Sequence, residues 1–301
     1  MTDDLPAPAQ PRATASLIGY YSVLATVGLA AALMGPTLPA LAAQTRTTLS
    51  GISGLFVARS VGYIAGSLLG GRLYDRLPGH RLMGLAGVVM AAGLALMPVT
   101  PWAGLLFGVM LVVGAAQAWL DVGSNTLLVW LYGAGVTRYM NGLHFAYGVG
   151  AFLAPLIVAQ ALAWTGGVQG AFWAVAVLSL PPALWLGRRP SPARPRPAAV
   201  VQAPAPPVNY RLVALFVMCF FFYVGAEVSY GAWIYTYANA TGLADAATGA
   251  YLTAAFWGTI TLGRLMAIPL AARFRPRTLL ALDLAGGLLS IGLAAVWTGE
   301  A

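Results

Sequence analysis

Nine long apolar runs take up most of this chain and limit what it can fold into. They cover residues 16–41, 51–72, 82–100, 102–124, 143–164, 169–187, 211–236, 248–272 and 279–298. A helix needs roughly 20 residues to cross a hydrocarbon core about 30 Å thick, and each run is long enough. Lipid admits only helices or closed barrels, and these runs are too long and continuous for barrel strands. The runs therefore predict an all-α polytopic membrane protein with nine spans.

The charged residues fit the same class. Hydrophobic residues make up 59% of the chain and charged residues 8%, with 16 basic residues, all arginine, against eight acids. A basic excess could indicate nucleic-acid binding, but these arginines lie in short turns between apolar runs, which is the positive-inside pattern. With the amino terminus in the cytoplasm, thirteen arginines fall inside, Arg46 falls outside, and Arg59 and Arg264 lie within spans. We expect a bacterial inner-membrane protein with a cytoplasmic amino terminus and no nucleic-acid partner.

The spans divide into two groups. Residues 188–210, rich in proline, alanine and arginine, predict a cytoplasmic linker between a six-helix bundle (1–187) and a partial, three-helix bundle (211–301). A weak internal repeat relates residues 56–83 to residues 256–280, the second helix of each group. Two matched halves would require three further helices after the last span, so we expect a shortened second half. The first run is too long for a signal peptide, and we interpret it as a span.

One turn carries a family motif. The stretch GGRLYDRLPGHRLM, between the second and third spans, resembles the loop signature of the major facilitator superfamily. The matching positions are Gly71, Asp75, Arg76, Gly79 and Arg81, with one extra residue before Gly79. This resemblance implies a major facilitator-type helical bundle.

A narrower resemblance covers four stretches. LDVGSNTLLVWLYG, NGLHFAYGVGAFLAPL, YVGAEVSYGAWIYTY and FWGTITLGRLMAIP are similar to the branch that holds sodium-dependent glucose transporters and fucose permeases. The resemblance implies a secondary active transporter of a hexose-like sugar, with sodium or proton symport by alternating access. The alternative is a proton-coupled exporter of drugs or metabolites. Two departures disfavour it: the fourth span lacks the usual arginine, and GVGAFLAP carries only part of the fifth-span signature of drug antiporters.

An aspartate lies deep inside the fourth span. Gln117, Asp121 and Asn125 are four residues apart, so they share one stripe of a helix. Burying a carboxylate in lipid is costly, and intramembrane carboxylates are often functional. We expect Asp121 to couple a sodium ion or a proton, and Gln117 and Asn125 to bind sugar hydroxyls. The alternative is a structural hydrogen-bonded cluster that holds two helices together.

The second intramembrane acid is Glu227 in the seventh span. Tyr223 and Tyr230 share its side of the helix, so we predict a carboxylate between two phenols that faces the bundle. We assign Glu227 to ion coupling and Tyr230 to substrate binding. The alternative is an ion pair between Glu227 and an arginine of a neighbouring helix.

Two arginines within spans are the expected counter-ions. A buried arginine without a partner is too costly, so we expect Arg59 and Arg264 each to meet Asp121, Glu227, Asp283 or a carbonyl group. Trp257 lies near the face of Arg264 and is a candidate for stacking on a sugar ring. Pairing for assembly alone is an equally good explanation of these arginines.

His144 is the remaining candidate for substrate binding. It begins a stripe of Gly148, Ala151 and Pro155, whose small residues allow close helix contact and whose proline allows a bend. The imidazole could bind sugar or relay a proton, or it could be a packing residue.

Asp75, Arg76 and Arg81 are candidate gating residues in the cytoplasmic turn. We expect Asp75 to accept hydrogen bonds from amides at the amino end of a neighbouring helix, since the helix dipole favours an anion there. The alternative is a solvated turn that only sets orientation.

Other classes fit less well. The chain has two histidines, of which His80 is expected in a cytoplasmic turn, and one cysteine. No metal-ligand or triad spacing is present, so we expect neither an enzyme nor a cofactor beyond the coupling ion. A receptor would not need two acids in its spans. We expect a small-molecule partner and the lipid bilayer, and the sequence leaves the oligomeric state open.

Overall fold

The computed structural model describes residues 10–195 and 208–296, and within them it is built from helices and turns. Two short 3-10 turns, Met97–Val99 and Gly133–Gly135, lie among the α-helices. The α-helices are α1 (Gln10–Ala32), α2 (Met34–Gln44), α3 (Leu49–Ile52), α4 (Gly54–Tyr74), α5 (Gly79–Leu96), α6 (Ala103–Tyr132), α7 (Thr137–Thr165), α8 (Gln169–Gly187), α9 (Tyr210–Ala240), α10 (Ala246–Arg273) and α11 (Pro276–Val296).

The helices match the predicted spans. Within the described residues, seven segments are long and apolar enough to cross a membrane. They are Ala13–Ala32, Leu49–Tyr74, Gly79–Val99, Ala103–Tyr132, Thr137–Thr165, Gln169–Gly187 and Tyr210–Ala240. The other two predicted spans form α10 and α11, which are helical but are not among the seven. The all-α class of integral membrane protein is confirmed.

The first span differs from its prediction because it is broken in the middle. Helix α1 ends at Ala32, and α2 begins at Met34. Pro36 has no amide hydrogen, and its ring would clash with the carbonyl group of the residue four positions earlier, Ala32. The helix is therefore interrupted at Leu33, within the apolar run.

Helices α4 and α6 pack in contact along a seam of glycines. A β-carbon at Gly62 would overlap the carbonyl oxygen of Leu111, and one at Gly114 would overlap that of Arg59. One at Gly66 would lie 2.7 Å from the carbonyl oxygen of Ala115. Backbones that approach this closely leave room only for glycine. The seam fixes the register in which side chains of α4 meet those of α6.

Two further helix pairs also pack closely at glycines. A β-carbon at Gly28 of α1 would overlap the carbonyl oxygen of Tyr147 in α7. A β-carbon at Gly84 of α5 would lie 2.9 Å from the α-carbon of Gly187 in α8. The chain thus forms three tightly packed pairs, α4 with α6, α1 with α7, and α5 with α8.

Helix α9 packs against the broken first span. A β-carbon at Gly35 of α2 would lie 2.9 Å from the carbonyl oxygen of Gly231 in α9. The ring of Phe56 in α4 also lies 6.3 Å from the ring of Trp233 in α9, centroid to centroid. These contacts place α9 beside α2 and α4.

Outer faces of the helices carry large apolar side chains. Ile64, Leu68, Val177 and Trp164 are each more than half exposed. In a membrane-spanning protein such side chains face lipid, so their exposure needs no protein partner.

The structure divides into two compact units, Met1–Gly258 and Thr259–Ala301. Helix α10 begins in the first unit, after Asp245. The Asp245 carboxylate accepts a hydrogen bond from the backbone amide of Thr248 at 2.7 Å, which lowers the pKa of Asp245 below its usual value. Most of the predicted linker, residues 196–207 with Arg196, lies outside the described residues, and the division at 188–210 stays a prediction.

The α4–α6 seam predicts a contrast between two glycine-to-alanine substitutions. Gly62→Ala forces the two backbones apart, and overpacking of this kind costs typically about 1–3 kcal/mol. Gly108→Ala, also in the apolar run of α6, has nothing within 4 Å of the added β-carbon. We expect a lower thermal unfolding midpoint in detergent for Gly62→Ala, and an unchanged or higher midpoint for Gly108→Ala. Equal midpoints for the two variants would contradict the packing described for the seam.

Candidate functional site

The carboxylate of Asp121 is held by neutral donors. Tyr63 of α4 donates its hydroxyl hydrogen to Oδ2, and the Asn125 amide donates to Oδ1 at 2.9 Å. The same Asn125 amide also reaches the backbone carbonyl oxygen of Asp121 at 2.9 Å. Asp121 makes no ion pair within the described part of the chain. A carboxylate that is half-buried and paired only with neutral groups can still bind a cation or a proton.

A second side-chain hydrogen bond, which we call the Arg59–Gln117 rung, joins α4 and α6 one helical turn from the Tyr63–Asp121 bond. The Arg59 guanidinium donates from Nε to Oε1 of Gln117 at 2.7 Å. Gln117 is fully buried, and its Nε2 has no hydrogen-bond partner among the described residues. Of the partners that the sequence allowed for Arg59, the structure therefore gives a carbonyl group, that of the Gln117 side chain. The buried amide hydrogens of Gln117 remain available to a ligand or a water molecule.

Arg59 also borders a small cavity, which measures about 30 Å³. This volume holds roughly one or two water molecules. Helices α1, α2, α4, α7, α9 and α10 contribute to its wall. The lining residues are Ala31, Ala32, Gly35, Phe56, Arg59, Tyr147, Val228, Gly231, Ala232 and Trp257.

The cavity contains one predicted binding residue and one that the sequence reading missed. Trp257 is 6% exposed and lines the cavity, as does Tyr147. Tyr147 follows His144 by three residues, so the two share a helix face. His144 itself is exposed and is not part of the lining. His144 and Tyr147 lie on one face of α7, but the residue of this face that lines the cavity is Tyr147.

The aromatic side chains around Glu227 do not form the predicted pair. Tyr223 and Tyr230 are 55% and 58% exposed, so neither phenol is enclosed by the bundle within the described residues. The Tyr230 ring packs against the ring of Phe256, with centroids 4.9 Å apart, and it does not line the cavity. Glu227 is half-buried, and Val228, the next residue, lines the cavity. Val228 and Gly231 line the cavity, whereas Tyr223 and Tyr230 are exposed.

Arg264 belongs to the second compact unit, Thr259–Ala301. Its side chain is half-buried in α10, and Thr261, one turn earlier, is buried. The prediction that Arg264 is a counter-ion stays a prediction.

Of the predicted gating residues, Asp75 and Arg76 lie in the turn between α4 and α5, whereas Arg81, also expected in the turn, is the third residue of α5. The Asp75 carboxylate pairs with the Arg194 guanidinium at 3.3 Å, and both side chains are about half exposed. The expectation that Asp75 would accept from helix amides is therefore replaced by an ion pair with the segment after α8. Arg76 and Arg81 are exposed.

His80 was expected in this turn, and that expectation is wrong. It is the second residue of α5 and is fully buried, and its Nε2 lies 2.8 Å from the hydroxyl oxygen of Tyr20 in α1. Its backbone amide donates to Oγ of Ser191, also at 2.8 Å. The turn ends earlier than the sequence indicated because α5 begins directly after Pro78, which favours a helix start.

Among the described residues, no group of three or more His, Cys, Asp or Glu side chains could hold a metal ion. What the structure does bring together is a carboxylate, an arginine and a buried amide on two packed membrane helices beside a cavity. Ionisable groups at such positions are characteristic of membrane transport proteins.

Comparison with known proteins gives the family. Residues 20–299 match the Major Facilitator Superfamily, and the chain belongs to this family. The chain is 30% identical to sodium-dependent glucose transporter 1A of Mus musculus, over 90% of this chain and 72% of that protein. It is 31% identical to sodium-dependent glucose transporter 1 of Homo sapiens, over 88% of this chain and 58% of that protein. It is 26% identical to major facilitator superfamily domain-containing protein 4A of Danio rerio, over 93% of this chain and 70% of that protein.

These matches confirm the resemblance seen in the sequence and assign the chain to transport rather than to catalysis. The chain spans 58% of the length of the human relative and 59% of that of the Xenopus laevis relative.

The Tyr20–His80 contact predicts a specific loss of stability. Tyr20→Phe removes the hydroxyl group and leaves the buried imidazole nitrogen unpaired, which costs about 1–3 kcal/mol. Tyr210→Phe is the matched control, because Tyr210 is 77% exposed. We expect a lower thermal unfolding midpoint in detergent for Tyr20→Phe only. A shift of the same size in both variants would show that the buried contact is not the cause.

Proposed function

We propose that this chain is a secondary active transporter of a hexose-like sugar, coupled to a sodium ion or a proton by alternating access. The observation that carries the proposal is the Tyr63–Asp121–Asn125 cluster beside the Arg59–Gln117 rung. Relatives named as sodium-dependent glucose transporters support the substrate class.

Asp121 is the coupling residue in this proposal. Its carboxylate uses one hydrogen bond at each oxygen, so acceptor capacity remains for a cation or a proton. The hydroxyl oxygen of Tyr63 lies next to it, and sodium, like other hard cations, prefers oxygen ligands. Either ion would neutralise the carboxylate and change how firmly α4 is held to α6. Glu227, half-buried in α9, is the second acid proposed for coupling.

The sugar would bind where the cavity meets the Arg59–Gln117 rung. The buried amide of Gln117 offers hydrogen-bond donors to hydroxyl groups, and Trp257 offers an aromatic face for an apolar ring face. A cavity of about 30 Å³ is too small for a hexose, so binding requires the helices to separate. Asn125, His144 and Tyr230 would join the site only in that wider state. Arg59 would balance the acids of the first unit, and the counter-ion role of Arg264 stays a prediction.

In this proposal a gate at the cytoplasmic ends of the helices opens when the helices separate. We assign the gate to Asp75, Arg76 and Arg81, because the Asp75–Arg194 ion pair ties the turn after α4 to the segment after α8. An exposed pair is worth about 0–1 kcal/mol, so it can break during each cycle. In this proposal the protein lies in a bacterial inner membrane, and the orientation that the arginines favour has this turn on the cytoplasmic side.

The composition of the cavity favours a second candidate. Seven of its ten lining residues are glycine or have apolar side chains, the exceptions being Arg59, Tyr147 and Trp257. Such a lining also suits an apolar substrate, and a proton-coupled exporter of drugs or metabolites is the alternative.

The coupling role predicts that Asp121→Asn loses gradient-driven uptake. Removing the charge prevents both proton transfer and sodium binding at this site, so we expect accumulation of glucose or fucose to fall at least about tenfold. The assay is uptake into proteoliposomes under an imposed sodium or proton gradient, and the gradient that drives uptake identifies the ion. Asp245→Asn is the matched control, since asparagine caps a helix as well as aspartate does.

Two results would contradict the proposal. Uptake by Asp121→Asn equal to that of the unmodified chain would remove Asp121 from coupling. Proton-driven efflux of an apolar dye, without sugar uptake by the unmodified chain, would establish the exporter instead.

A further inference from the structure

A second cavity lies where α5 begins and α8 ends. It is open to solvent and measures about 470 Å³. We call it the arginine pocket, and it is lined by Pro78, Arg81, Gly187, Arg188, Arg189, Pro190 and Ser191. Neither the coupling cluster nor the sugar site uses these residues, and only Arg81 is shared with the proposed gate.

The arginine pocket carries a concentrated positive charge. Arg81, Arg188 and Arg189 all line it, and none of its lining residues is acidic. None of the three makes an ion pair with an acid of the described residues. Asp75, the acid nearest to Arg81 in the sequence, is already paired with Arg194. Three guanidinium groups without counter-ions repel one another, so an anion that enters the pocket relieves this repulsion.

One of the three guanidinium groups, that of Arg189, is held in place before any ligand binds. The Arg189 guanidinium stacks on the ring of Trp185, with its central carbon 4.1 Å from the ring centroid. This contact occupies a flat face and leaves the N–H groups at the edge free to donate. The backbone amide of Arg189 donates to the carbonyl oxygen of Leu186 at 2.9 Å, which fixes the chain after α8.

Ser191 adds a neutral donor. Its Oγ accepts from the backbone amide of His80 at 2.8 Å, and His80 is anchored to Tyr20 in the core. The hydroxyl hydrogen of Ser191 therefore remains available. The arginine and serine side chains of the pocket can thus all donate hydrogen bonds, which matches an anion with several acceptor oxygens.

We propose that the arginine pocket binds a phosphate group. Arginine presents several N–H donors in a plane and pairs with two phosphate oxygens at once, so three arginines and one hydroxyl can surround such a group. The phosphate can belong to the headgroup of an anionic phospholipid or to a free phosphate ion.

The position of the pocket favours the lipid as the source. The membrane-spanning segment of α5 starts at Gly79, and that of α8 ends at Gly187. The pocket lies between these two ends, at the level where the apolar core gives way to headgroups. Basic pockets at this level on the cytoplasmic side attract anionic lipids.

Native mass spectrometry of the detergent-purified chain tests this proposal. The protein is titrated with phosphatidylglycerol, phosphatidylcholine or inorganic phosphate, and bound molecules are counted. We expect phosphatidylglycerol to bind at least about tenfold more tightly than phosphatidylcholine, and combined substitution of Arg81, Arg188 and Arg189 by glutamine to abolish this preference. The control removes the same charge at Arg211, Arg273 and Arg277, which are exposed and lie outside the pocket, and should change binding less than about twofold.

Each result of this titration either supports or overturns the proposal. Tight binding of inorganic phosphate that the pocket substitutions remove, without a lipid preference, supports the phosphate site and identifies free phosphate as its ligand. Equal losses in the two triple variants show a general effect of charge and overturn the proposal, as does a pocket variant that binds like the unmodified chain. If the triple variant does not fold, Arg188→Gln alone gives the same comparison, because Arg188 is exposed and its loss breaks no ion pair with a described residue.

Discussion

The close contact between α4 and α6 is the constraint on which the candidate site depends. Glycines at 62, 66 and 114 let the two backbones touch, and this fixes which side chains face each other. Tyr63 then reaches Asp121, and Arg59 reaches Gln117. Side chains of larger volume at the seam would move the helices apart and break both rungs. A packing contact between backbones therefore decides the electrostatics of a carboxylate in a membrane helix.

The break in the first span has a comparable effect on the cavity. Pro36 interrupts the helix at Leu33, and next to this interruption Ala31, Ala32 and Gly35 line the cavity, where α9 approaches through Gly231. Irregular backbone at this depth is tolerated where protein covers it or where it lines a cavity. The cavity is narrow, with a volume of about 30 Å³.

The end of the bundle that carries most arginines combines two kinds of charge. Asp75 and Arg194 form a weak, exposed pair, whereas Arg81, Arg188 and Arg189 surround an open pocket without acids. Both features involve the segment that leaves α8, which is anchored through Ser191 and His80. A ligand in the pocket would thus act on the same segment that the proposed gate uses.

The sequence by itself determined the class and the placement of most helices, because lipid imposes a length and an apolar composition that can be counted along the chain. The family followed from the resemblance of its motifs. The sequence also determined the stripe of Gln117, Asp121 and Asn125, since helix periodicity alone aligns them. Tertiary structure decided the partners: Tyr63 for Asp121, Gln117 for Arg59, and Tyr147 rather than His144 at the cavity. The burial of His80 and the exposure of Tyr230 were also decided there. The physical reason is that periodicity fixes the face on which a side chain lies, whereas its neighbour depends on how closely another helix can approach.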